Sequence, residues 1–155
     1  MTTLPFSTIY LRSYDFAGNI TDHPVKTLID SGSELTLISK NTVDRIANLE
    51  IEATPEIRIT NAVKDDMTSI NRKFTSNIYF PQSGRELLNK TLYIMDVPME
   101  FEAILGVDLL KGLPMKFLRG GAVKFYNIIC QNGQGLSRVV ETRDDDTHYE
   151  FLKKI

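Results

Sequence analysis

Tryptophan is absent from this 155-residue chain, cysteine occurs once and histidine twice. A lone Cys130 excludes an internal disulfide framework and fits a reducing compartment. His23 and His148 stand far apart with no ligand-like neighbours, so neither a metal site nor a cofactor is expected. An excess of one charge is also missing. Eighteen Lys and Arg against 20 Asp and Glu leave a net charge of −2, without the clustered basic footprint that nucleic acid requires. No run of about 18 apolar residues is present, so no helix is expected to cross a membrane. The N-terminus lacks a basic-then-apolar leader, and an intracellular location is expected. Glycine is missing from the whole stretch between Gly32 and Gly84.

What is there suffices for a core. Hydrophobic residues make up 42% of the chain, with eight Phe and six Tyr as bulky filling. The first 125 residues read as short strands between turn signals. Strands are expected over 6–11, 25–29, 35–38, 57–62, 70–80, 92–97 and 123–129. Turn formers Gly18, Asn19, Asp22 and Pro24 predict a loop over 15–24. Ser39 is placed to cap a short helix over 42–47, and 107–111 suits one or two helical turns ended by Gly112 and Pro114. This pattern predicts a mostly β, barrel-type domain over residues 1–130. Residues 131–155 turn polar, with Asp144-Asp145-Asp146, and read as an extension or linker with a weak helix over 149–154.

Two segments carry chemistry. The apolar strand Leu28-Ile29 runs into Asp30-Ser31-Gly32-Ser33, and far downstream Ile104-Leu105-Gly106 leads into Val107-Asp108-Leu109-Leu110. Taken alone, the triplet also suits an ordinary turn after a strand, since Asp, Ser and Gly all favour turns. A carboxylate there becomes catalytic when a second stands a few ångström away. Two such groups cannot both ionise, so they share a proton. One then takes a proton from water while the other polarises a carbonyl. A chain with one such Asp obtains the second from a copy of itself across a twofold axis.

Together, in this order, the two segments resemble the signatures of the retropepsin-like aspartic proteases, the family of retroviral and LTR-retrotransposon proteases. The likeness runs over roughly residues 4–127. It implies a closed β-barrel with one short C-terminal helix, a homodimer, and an aspartic endopeptidase acting on its own Gag-Pol-type polyprotein, in the cytoplasm or within a virus-like particle. Asp30 would be the catalytic acid and Ser31, Gly32 and Ser33 the active-site loop. Thr60, Asn61, Ala62 and Val63 would begin the flap that covers substrate, and Phe101 and Ile104, with Met99, would wall a pocket, though in sequence they suit plain core equally well. Gly106 would let backbone pass close behind the catalytic turn. Two departures stand out. The flap candidate has no glycine, and Val107 occupies the place where retroviral enzymes carry an Arg that pairs with the acid matched here by Glu34. A weaker dimer is the expected consequence.

Two rival functions are compatible with the same residues. One is a Ddi-type ubiquitin-linked shuttle protease, which shares both segments. The other is a non-catalytic dimerisation or peptide-binding module built on a protease fold, a reading motivated by the glycine-free flap and opposed by the intact Asp30-Ser31-Gly32.

Overall fold

The computed structural model describes residues 6–30, 32–60, 67–81, 83–96 and 100–111, together with the backbone of four later strands. The chain begins with a hairpin of β1 (Phe6–Tyr14) and β2 (Ile20–Ile29). Along β1 Ser7, Ile9 and Leu11 are buried and their neighbours are not, the period-two pattern of a strand with one face on the core. Short β3 (Leu37–Ser39) and the single-turn helix α1 (Lys40–Asp44) follow. Ser39 caps α1 as expected, its Oγ accepting from the Thr42 N–H at 3.2 Å. The helix lies two residues earlier than the sequence suggests and is succeeded by Asn48 in a left-handed conformation.

Next come β4 (Glu52–Thr60), β5 (Met67–Phe80) and β6 (Arg85–Met95), then β7 (Ala103–Leu105) and the four-residue helix α2 (Val107–Leu110). Strands β8 (Met115–Phe117), β9 (Val123–Phe125) and β10 (Ile128–Cys130) form a separate antiparallel sheet, so the single strand expected over 123–129 is two. Within the segment expected to be a polar extension, Arg138–Glu141 form β11. The weak helix expected over 149–154 lies outside the described residues.

The main sheet runs β1-β2-β7-β3-β6-β5-β4-β11, and β1 also pairs with β5. That extra pairing closes β1, β2, β7, β3, β6 and β5 into a six-stranded barrel. The barrel is filled by Ile9, Val25, Ile38, Phe74, Ile78, Leu92 and Leu105, all of them at most 3% exposed. Full burial of each such side chain contributes about 1.5–3 kcal/mol. The long β5 serves two structures. Its second half belongs to the barrel, while Met67–Arg72 pair with β4 in a ribbon that extends the sheet. A second cluster joins Ile57 and Ile59 of that ribbon to Leu28, Leu35, Leu37, Ile70, Phe101 and Ile104.

The loop expected over 15–24 is shorter, because β2 already pairs with β1 from Ile20. Asp22, read as a turn former, is a cross-strand partner: Arg12 binds it through two N–H groups at 2.9 and 3.0 Å. That bond holds the Asp22 carboxyl below the usual range. Pro24 is tolerated because this stretch of β2 pairs on one side only, with β7 beginning its pairing at Thr27.

Candidate active site

The two signature segments lie side by side. β7 inserts between β2 and β3, parallel to β2 with Leu28 opposite Ile104 and Ile29 opposite Leu105, and antiparallel to β3. Its start is pinned by Glu102, whose N–H donates to the Lys26 carbonyl and whose own carbonyl accepts from the Ser39 N–H. Asp30 therefore leaves β2 at a place set by three strands. Its N–H donates to the Leu105 carbonyl at 3.0 Å, its carbonyl accepts from Ser33 N–H at 3.1 Å, and its Oδ1 accepts from Gly32 N–H at 2.9 Å. The residue is 6% exposed. A carboxylate so placed has a fixed orientation, which positioned proton transfer requires.

Behind the turn the backbones almost touch. A Cβ on Gly106 would stand 2.3 Å from the Leu35 carbonyl oxygen and 2.8 Å from that of Ser33. The Val107 N–H donates to the Ser33 carbonyl at 2.8 Å, and the Gly106 N–H donates to Thr36 Oγ1 at 3.0 Å. Thr36 in turn gives its hydroxyl proton to Asp108 Oδ1 at 2.7 Å and its N–H to Asp108 Oδ2 at 3.1 Å. These bonds tie the segment after Asp30 to α2 across 72 residues of sequence. Ser33 is fully buried, with its Oγ donating to the Leu35 carbonyl.

A family model for the Ty3 transposon peptidase matches residues 15–120. The chain belongs to that family. Among solved structures it is similar to the EIAV protease complexed with the inhibitor HBY-793, with a TM-score of 0.51 and 18% identity over 72% of this chain and 89% of that one. It is also similar to the retroviral protease-like domain of Ddi1 from Leishmania major, with a TM-score of 0.51 and 15% identity over 94% of this chain and all of that domain. None of the curated proteins matches the chain. The family and the retropepsin-like barrel thus agree with the resemblance that the two signatures carry.

Within this Ty3-type fold the site residues expected from sequence fall into three groups. Asp30, Gly32 and Ser33 form the turn just described, and Gly106 makes the close passage expected of it. Thr60 ends β4, where the flap is expected to begin, while Ser31, Asn61, Ala62, Val63 and Met99 lie outside the described residues. Phe101 and Ile104 are 8% and 5% exposed within the second core cluster, and Phe101 stacks at 5.9 Å on Phe6. Val107, in place of the Arg of retroviral enzymes, is fully buried.

Sequence reasoning missed the Thr36–Asp108 bridge. Gly106 is the N-cap of α2, and Asp108, in its first turn, accepts from Thr36 and from Leu109 N–H. The one local signal was a hydroxyl six residues after Asp30, which gains meaning only once β7 is seen between β2 and β3. Loss of hydration raises the Asp108 carboxyl from 3.8 to about 6, against the lowering effect of its hydrogen bonds. The native state then holds a proton that the unfolded chain releases near pH 4, so this group's contribution to stability falls as pH rises from about 4 to 6. Asp108→Asn removes that dependence. Thermal unfolding at intervals from pH 4 to 7 should show wild type losing roughly 1–3 kcal/mol relative to the variant across the window. A pH-independent difference between the two would contradict the assignment. The asparagine changes hydrogen bonding by a constant amount, so the slope carries the result.

Proposed function

We propose that the chain is a homodimeric aspartic endopeptidase that processes a Gag-Pol-type polyprotein, with one Asp30 from each subunit forming the catalytic dyad. The observation that carries this reading is the fixed Asp30 carboxylate, buried at the end of β2 and oriented by Gly32 N–H. The Asp-Ser-Gly triplet occurs once in the chain, so a second carboxylate of the same kind comes from a second copy. The pair shares one proton. Its ionised member draws a proton from a water, the water oxygen attacks the scissile carbonyl, and the protonated member donates to the developing oxyanion. The same proton relay then protonates the departing amine. Ser31 and Gly32 shape the loop, and the segment from Thr60 onward covers the substrate. The polypeptide is met in the cytoplasm or within a virus-like particle, and no metal or cofactor takes part.

Cleavage of a peptide library at about pH 5–7 tests this. Hydrolysis is expected, pepstatin stops it, and activity per chain rises with protein concentration as the dimer forms. A species that stays monomeric in sedimentation at high concentration yet still cleaves would sink the shared site. A dimer that binds peptides without turning them over at any of these pH values would favour the peptide-binding module instead.

A further inference from the structure

The closed barrel leaves the main sheet with one edge to cover. β1 is paired on both sides, by β2 and by β5, whereas β4 has β5 on one side and β11 on the other. With β11 displaced, the Ile59–Thr60 stretch of β4 offers its backbone as the template on which an extended chain adds as a strand. The inner face of that stretch is already anchored. Ile59 is 2% exposed and packs, with Ile57, into the cluster holding Leu28 and Leu35, the residues on either side of the Asp30 turn. The edge therefore belongs to an element packed against the flanks of the catalytic turn, on the strand that leads into the flap position.

We propose that the chain's own residues 138–141 act as a built-in competitor on this edge of β4, holding the place that an extended peptide would take as an added strand. In taking that peptide to be substrate, the inference rests on the protease reading above. β11 has the marks of an occupant that can be displaced. It is four residues long, and it pairs antiparallel with Thr60 and Ile59 before slipping. Val139 faces Ile59 but Glu141 faces Arg58, so Val140 is an extra residue on the β11 side and the ladder is interrupted after two positions. Only seven residues of sequence separate Cys130 at the end of β10 from Arg138. A tether so short sets an effective concentration in the millimolar range, enough for a weak strand to hold the edge against dilute peptides and to yield to tight ones. Access to the edge is then governed by the fraction of molecules in which β11 has left it.

The test reads binding, not turnover. A fluorescent peptide with the sequence of residues 136–143 is titrated into the full-length Asp30→Asn protein with and without Val139→Pro, which removes an N–H from β11 and opposes strand pairing. The proline variant is expected to bind the peptide about tenfold more tightly. Glu141→Pro, at the other end of the strand, should act in the same direction. In the Asp30→Asn protein without a proline, saturating peptide should strip hydrogen-exchange protection from the amides of 138–141 while those of 58–60 keep theirs. Equal affinities in all three proteins, or protection of 138–141 that survives saturation, would overturn the proposal. Because no readout depends on catalysis, a wild type without peptidase activity defeats the protease reading and leaves this one standing.

Discussion

Asp30→Asn is expected to reduce peptide hydrolysis at least about 10³-fold while leaving the fold intact. The amide is isosteric, and its oxygen can still accept from Gly32 N–H, the bond that orients the wild-type side chain at 2.9 Å. What it cannot do is carry the proton that the proposed dyad shares, and in the proposed homodimer both copies would lose that capacity together. Thermal stability should be unchanged or slightly raised, since a neutral amide buried at 6% exposure avoids the cost of burying an ionised carboxylate. Turnover measured beside the melting temperature separates the two effects. Activity within tenfold of wild type, in a folded dimer, would remove Asp30 from the chemistry.

Gly106→Ala should produce the largest loss of stability of any single methyl group added to this site. The backbone at Gly106 is ordinary, with φ −97° and ψ 179°, so the glycine is required by space and not by conformation. The new Cβ would fall 2.3 Å from the Leu35 oxygen and 2.5 Å from its carbon, atoms of a main chain that cannot swing aside like a side-chain tip. Relief requires Leu35 to move away. That movement breaks the Gly106–Thr36 and Val107–Ser33 hydrogen bonds that hold the Asp30 turn against α2. A destabilisation of about 3 kcal/mol or more is expected, read as a fall of roughly 10 °C in melting temperature. A variant melting within about 2 °C of wild type would mean that the two backbones are not in contact.

The parts of this molecule legible in sequence are those whose signal is local. Apolar Leu28-Ile29 ahead of Asp30-Ser31-Gly32, the small residue at 106, and the capping hydroxyl of Ser39 each say on their own what they do. Features set by a distant partner were misread or invisible. Asp22 and Pro24 have the composition of a loop, but Arg12 and the one-sided pairing of β2 make them part of a strand. Thr36 looks like any strand hydroxyl until Asp108 is placed beside it. β11 lies in a polar stretch, and what makes it a strand is the vacant side of β4, nearly 80 residues earlier. Phe101 and Ile104 show the converse case. Apolar residues near a site suit a pocket wall or a core equally well in sequence, and here both are buried in the cluster beneath the β4–β5 ribbon.

The insertion of β7 between β2 and β3 also sets a timetable. β2 and β3 are made some seventy residues before β7, yet neither can take its final neighbour until residues 103–105 have appeared. Contacts of such long sequence separation form slowly, because loop closure must be completed before they stabilise anything. A growing chain therefore carries its Asp-Ser-Gly turn for some seventy residues with no backing strand, no Leu105 carbonyl to anchor Asp30 and no α2 behind it. Whatever this turn does to peptide bonds, it cannot begin until β7 and α2 have been made.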